Sequence, residues 1–412
     1  MGFQQGLSGL NASARNLDVI GNNIANANTV GFKQSQAQFS DVFASSLSGS
    51  GGIQVGIGTK IGAVAQQFSQ GNVTSSSNAL DVAISGQGFF RLDNNGAIAY
   101  SRNGQFQLDK NGFIVNAQGH KLTGYSASAA GAIITAAPGP LQIPSADLLP
   151  KATTAATVGV NLDARLAVPA TATFNPTDPT SYNSSTSLTA YDSLGNPHVT
   201  TLYFQKTASN AWNTFLTVDG ASVPPVVPPA APTALGALTF NTNGTLATPA
   251  TGLLTSAAFT PAGGAAQTLA FNFANTSQYG SAFGVNQLTQ DGYSSGRLSG
   301  FNIGTDGVIQ ARYSNGQAKA VGQMVLANFA NPQGMQPIGN NEWVESAAAG
   351  TPLVGAPGSA NLGILQSASV EDSNVDLTAE LVNMITAQRS YQANAQTIKT
   401  QDSVLQTIVN LR

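Results

Sequence analysis

A chain of 412 residues has room for two or three domains, and this one carries charge on only 8% of them, against roughly a quarter in ordinary soluble proteins. Net charge is −3 and Lys and Arg cluster nowhere, which removes the electrostatic footprint of a nucleic-acid binder. Cysteine is absent, excluding disulfides and thiolate chemistry, and no apolar run approaches the ~18 residues of a membrane span.

The N-terminus has neither a basic nor an apolar leader region, so no cleavable signal peptide is expected. Met1-Gly2 opens a myristoylation pattern, but Gly6 stands where Ser or Thr is required. Residues 1–33 read as the N-terminal helix of a stem. Phe3, Leu7, Leu10, Ala14, Leu17, Gly21, Ile24 and Asn28 alternate steps of four and three, which predicts a helix over 3–28 that packs on another helix. Its tail interleaves Asn22, Asn23, Asn26 and Asn28 with small apolar residues, then runs into Val30-Gly31-Phe32-Lys33. Asn amides compete for the helix backbone. The tail is therefore a fraying end stopped at Gly31, or a ring of amides bonding neighbouring subunits; the residues alone favour the first.

Residues 34–70 read as a linker, flexible over Ser45–Gly52, with short extended pieces at Ile53-Gln54-Val55 and from Ile57 to Val64. From 71 to 125 the pattern becomes one of strands. Ala79–Ile84 alternates, Gly86-Gln87-Gly88 leads into Phe89-Phe90-Arg91-Leu92, and Asn-Gly turns at Gly96, Gly104 and Gly112 separate short apolar runs. Asn-Gly between such runs is a strong hairpin signal. These residues form the first part of an inner, antiparallel β domain.

Residues 126–290 hold 15 of the 19 prolines, which excludes long helices and predicts an inserted outer β domain. Its clearest strands are Ser187–Tyr191, Val199–Phe204 and Trp212–Val218, and the segment 221–268, with Pro224-Pro225 and Pro228-Pro229, is poor in charge. At 291–358 the earlier style returns, with strands at Arg297–Ile303, Val308–Tyr313 and Ala320–Phe329, completing the inner β domain. Residues 359–374 read as a second linker.

The last segment, 375–412, is the C-terminal helix of the stem. Leu377, Leu381, Met384, Gln388, Tyr391, Ala395, Ile398, Asp402, Leu405 and Val409 form its seam, with no Pro or Gly between them. Glu371, Asp372 and Asp376 at its start and Arg412 at its end follow the helix dipole. At roughly 55 Å it exceeds what a compact domain needs. The expected fold is α+β and multi-domain, with paired coiled-coil-like terminal helices and nested, mainly antiparallel β domains between them.

Chemistry has little to stand on. His120 and His198 are the only histidines, and neither has a flanking pattern that suggests a nucleophile's base. Gly56-Ile57-Gly58-Thr59-Lys60-Ile61-Gly62 fits neither nucleotide-loop spacing, and Asp93–Gly96 lacks the later ligands of a calcium loop. No catalytic, metal or cofactor site is expected, and the chain is read as a non-enzyme.

Several stretches resemble the axial proteins of the bacterial flagellar rod and hook. They are Leu7–Asn11, Asn22–Asn26 with Thr29–Lys33, Phe68–Gly71, Leu80–Ile84 with Gly86–Phe90, Asn374–Val382 and Gln388–Asn394. Leu188–Pro197 is similar to the outer-domain signature of hook members. The resemblance implies a structural subunit, exported unfolded by the flagellar type III apparatus and polymerised into the flexible joint between rod and filament. It implies partners in the rod, the hook cap, the hook–filament junction and the length-control protein, and a location in the hook outside the cell. The family motif at Asn22, Asn23, Asn26, Gly31 and Phe32 would belong to the stem. Segments 1–33 and 375–412 are expected to be disordered in the free subunit. A distal rod subunit is the competing reading within this class. A surface adhesin or glycan-binding β protein is the alternative from another, which Tyr191, Tyr203 and Trp212 exposed on one face would favour.

Overall fold

The computed structural model describes residues 2–42, 56, 58–225 and 231–410. The Ser45–Gly52 and Ile53–Val55 pieces, Ile57, the Pro228-Pro229 pair, Leu411 and Arg412 lie outside them. Two compact units emerge. The first holds 1–145, 300–312 and 318–412, and the second holds 146–299 and 313–317. The divisions fall at 145/146 and 299/300, later than the composition change near 125 and the return near 291 suggest.

In the first unit, helix α1 spans Gly2–Ala25 and helix α2 spans Leu377–Asn410. α1 stops three residues short of Asn28 because the asparagines divert its backbone bonds. Asn26 Nδ2 donates to Asn22 O at 2.9 Å, and Thr29 N donates to Asn26 O as the chain turns. Asp376 caps α2, its carboxylate accepting from Thr378 N at 2.8 Å and Ala379 N at 3.1 Å.

Residues 35–42 and 58–66 are not a free linker. β1 (Ser35–Val42) and β2 (Gly58–Gln66) pair antiparallel, with a register shift at Gln38/Phe39. Asn23 fastens this hairpin to α1: its Nδ2 donates to Ser35 O at 2.8 Å and its Oδ1 accepts from Ser35 N at 2.9 Å. The second expected linker is also paired. Ile364–Ser367 lies antiparallel to Val82–Ser85, and Ser369–Glu371 to Val73–Ser75. Val82, Ala83 and Ile84 are all fully buried, so this strand is covered on both faces.

The main sheet of the unit runs Val308–Tyr313, Ala318–Met324, Lys121–Ser126, Phe89–Asn94, Ala97–Ser101, Glu342–Val344 and Gln336–Gly339 in spatial order. Phe89–Asn94 and Ala97–Ser101 form the Asn-Gly hairpin that the sequence announces, with Asn95 at φ 51° and Gly96 at φ 97°. Phe68, Phe89, Tyr100, Phe329 and Trp343 pack edge to face beneath it.

The second unit is a sandwich of two sheets. One is built on Ala155–Asp163, which pairs parallel with Ala270–Asn272 and Ser277–Tyr279 and antiparallel with Gly284–Gln290. The other takes Ser184–Tyr191, Pro197–Ala208, Ala211–Val218 and Gly236–Phe240 as an antiparallel meander. Val158, Val160 and Leu162 from the first meet Leu202, Phe204, Trp212 and Leu216 from the second in one dry core. Trp212 is fully buried, its indole N–H donating to Gln278 Oε1 at 2.8 Å. No solvent-facing aromatic platform with Tyr191 and Tyr203 therefore exists.

Candidate assembly interface

α1 and α2 run antiparallel. A methyl group added at Gly6 would come within 3.1 Å of Ile398 Cγ1, and one at Gly9 within 2.8 Å of Asn394 Oδ1. Glycine at these positions sets how closely the helices approach.

The covered positions of α2 are Glu380, Met384, Ala387, Asn394, Ala395, Ile398 and Gln401. This stripe shares Met384, Ala395 and Ile398 with the expected seam but is turned by about one residue. It places small or polar groups against α1 and leaves the large apolar ones outward. Leu377, Leu381 and Tyr391 are exposed, as are Phe3 and Leu7 on α1, while Leu10, Leu17 and Ile24 are half-buried. At the far end α2 has ten more residues than α1 and overhangs it. There Leu405 is 54% and Val409 72% exposed. Nothing else among the described residues covers them.

Where the helices meet the β structure, a buried ionic node joins five stretches of chain. Lys33 Nζ lies 2.6 Å from Glu371 Oε1, and Arg102 Nη1 lies 3.2 Å from Glu371 Oε2. Gly71 N donates to Glu371 Oε1 at 2.9 Å, Lys33 Nζ to Ser69 O, and Arg102 Nη2 to Gly86 O. Burial pushes both cations below their ordinary pKa ranges, with Glu371 working in the opposite direction. Glu371 is thus a strand residue paired inside the protein, not a helix-dipole acid.

Around this node, Gln34 Nε2 donates to Glu380 Oε1, Gln34 N to Asn374 Oδ1, and Asn374 Nδ2 to Gln67 O. Gly31 N donates to Glu371 O at 2.8 Å. Gly31 sits at φ +71°, with Asn103 N only 2.5 Å from where a Cβ would stand. Phe32 is buried, Asn22 is exposed, and Asn23 and Asn26 spend their amides within the chain. The asparagine tail thus bonds its own subunit here.

Sequence reasoning missed Arg102, and it quoted Lys33 only as part of a motif. The two histidines are structural. His120 Nδ1 is 2.9 Å from Glu342 Oε1, and His198 Nδ1 is 2.6 Å from Asp219 Oδ2 with Asp192 Oδ2 at 3.5 Å from Nε2. Burial disfavours charge on His198, yet its bonds to Asp219 and Asp192 outweigh this and raise its pKa. Among the described residues no helix is long and apolar enough to cross a membrane, and no group of three His, Asp or Glu side chains is placed to hold a metal.

Four family descriptions match the chain in order. They are Flagella basal body rod protein at 3–33, Flagellar hook protein FlgE/F/G D1 domain at 83–165, Flagellar basal body protein FlaE D2 domain at 161–293, and Flagellar basal body rod FlgEFG protein C-terminal at 366–411. Flagellar hook protein FlgE of Salmonella typhimurium is 46% identical, with all of both chains covered. That of Escherichia coli K12 is 44% identical, also over all of both chains. The crystal structure of Helicobacter pylori flagellar hook protein FlgE2 covers 72% of this chain and 99% of its own, with a TM-score of 0.51 at 15% identity. At that identity it speaks for the fold alone.

Proposed function

Given that the chain belongs to the flagellar hook protein family, we propose that it is a structural subunit, not an enzyme, that self-polymerises into the hook, the flexible tube between rod and filament. The observation that carries this reading is the row of large apolar side chains left open along α1 and α2, from Phe3 and Leu7 to Leu405 and Val409. Burying each Leu-sized side chain is worth roughly 1.5–3 kcal/mol. Several such burials per subunit offset the ordering of two helices, whereas the free chain leaves them in water.

In this reading the helices pair as a coiled-coil-like stem lining the tube. The β units, divided as inner domain and outer insertion, stack outside it. Phe3, Leu7, Leu10, Leu17, Ile24, Leu377, Leu381, Met384, Tyr391, Ile398, Leu405 and Val409 act as the assembly seam, within a subunit or between subunits. The subunit reaches its place through the flagellar export apparatus. It then meets the rod, the hook cap, the junction proteins and the length-control protein.

The family descriptions at both ends name rod proteins, which keeps a distal rod subunit as the second reading. Hook relatives aligned over their whole length favour the hook. Electron microscopy of the concentrated protein tests the proposal, intact and lacking 1–33 and 375–412. Curved tubes from the intact chain and monomers from the truncated one are expected. Straight tubes would favour the rod, and monomers from both would overturn self-assembly.

A further inference from the structure

A groove of about 800 Å³ runs between α1, β1 and the lower half of α2. Its walls carry short side chains, among them Gly9, Ala12, Ala37, Ala387 and Ser390, so another helix can come close. Glu380 is the one charged residue lining it. One carboxylate oxygen of Glu380 accepts from Gln34 Nε2, and the other is buried with no hydrogen-bond partner among the described residues. A carboxylate oxygen in that position is costly until a donor reaches it.

The opposite flank of the same helix is its counterpart. Leu381, Ile385 and Arg389 follow one another at steps of four and are all exposed. At about 100° per residue this ridge stands nearly opposite the Asn383, Ala387, Ser390 and Asn394 row that walls the groove. Arg389 has no ion pair among the described residues, and it is the only cation on the ridge.

Resting on the polymer reading, we infer that the groove receives the Leu381–Ile385–Arg389 ridge of a second copy of this chain, with the neighbour's Arg389 directed at Glu380. Charge selects this occupant: one unpaired guanidinium on the ridge meets one under-satisfied carboxylate in the groove. Arg389 lies nine residues beyond Glu380, about 13 Å along the helix. An arginine in a helix leans back toward the N-terminus, so an offset of one to two turns between neighbours brings the pair together. Groove and ridge lie on different sides of each copy, so the contact is heterologous. Repeated, such a contact builds an open helical array rather than a closed dimer.

The absence of cysteine makes the contact directly measurable. Protein with Ile385→Cys and protein with Asn383→Cys, on the groove wall, are mixed, assembled and oxidised; the offset sets the neighbour's residue 385 about level with Glu380, and a disulfide needs Cα atoms within about 7 Å. Mixed cross-linked dimers confined to the assembled fraction are expected. Arg389→Glu, at an exposed site that leaves the monomer's circular dichroism unchanged, is expected to slow assembly at least tenfold, and Arg389→Lys to recover most of the rate. Tubes without mixed cross-links, Ile385-to-Ile385 cross-links alone, or Arg389→Glu assembling at the normal rate would overturn the docking while leaving the polymer intact. If the unsubstituted chain forms no tubes, the polymer reading falls and this contact falls with it.

Discussion

Lys33 and Glu371 stand 338 residues apart in sequence, yet their charged groups meet at 2.6 Å with neither side chain exposed to solvent. Removing one partner of a buried pair strands the other, at a cost of about 3–5 kcal/mol. Glu371→Ala strands two cations, Lys33 and Arg102, and should lie at the upper end of that range in urea unfolding. Arg15→Ala, which breaks a solvent-exposed pair with Asp18, should change stability by less than about 1 kcal/mol. Equal effects from the two substitutions would refute the role given to the node.

Gly31→Ala and Gly96→Ala form a second test. Both glycines have positive φ, but a Cβ at Gly31 meets Asn103 N at 2.5 Å whereas one at Gly96 meets nothing within 4 Å. Backbone strain alone costs about 1 kcal/mol at either site. The Gly31 variant should lose clearly more, because the backbone it strikes cannot rotate away. Thermal melts of the two variants give the comparison.

The His198–Asp219 pair gives the second unit a pH dependence with a definite sign. The folded pKa of His198 is raised above its ordinary 6.5. Its stabilising contribution is therefore whole below pH 6.5 and fades as pH rises through the higher folded value. The hydrogen bond from His198 holds Asp219 below its usual 3.8, so the pair survives mild acid. The stability gap between the unsubstituted protein and His198→Asn should be widest near pH 5 to 6 and narrow by about pH 9. A gap that widens with pH would contradict the assignment.

Leu405→Asp and Val409→Asp change side chains on the overhanging end of α2, which no other element among the described residues covers. Both variants should unfold like the unsubstituted protein in urea, within about 0.5 kcal/mol. Both should fail to form tubes under the electron microscope. Normal tubes would show that this end of the helix is not buried on assembly.

Hydrogen exchange on dilute monomer provides a fifth comparison. With Gly6 beside Ile398, residues 403–410 of α2 run past Gly2, the first described residue of α1, and isolated helical turns are marginal in water. Their amides should exchange fastest within the helix, and assembly should protect them. Full protection in the monomer would remove the link between ordering and assembly.

The two terminal helices and the Asn-Gly hairpins could be read from the sequence because each leaves a periodic trace: steps of four and three for Phe3 to Ile24, and Asn95-Gly96 between two apolar runs. The rotation of the α2 stripe left no such trace. The positions that meet α1 include Glu380, Asn394 and Gln401, which look like surface residues, while Leu381 and Ile385 look like core and face outward. The pairing of 35–42 with 58–66 and of 369–371 with 73–75 was hidden for another reason: backbone hydrogen bonds hold these short strands, and their side chains carry no strong alternation. Glu371 looked like a helix-dipole acid because its acidic neighbours include the true cap, Asp376. Only the fold shows that Lys33 and Arg102 are its partners.

The first unit is made of separated pieces, the last of which begins at Ala318, while residues 146–317 contain the second unit in full. A polypeptide that appears from its N-terminus therefore finishes the sandwich while the last 95 residues of the other unit are still missing (412 − 317). Lys33 waits for an anion that lies 338 residues further along the chain. The order of folding is thus written into the connectivity: the insert closes early, and the stem that would join other copies is locked last. The two tryptophans can time this sequence, since Trp212 is buried in the sandwich and Trp343 in the late-closing unit.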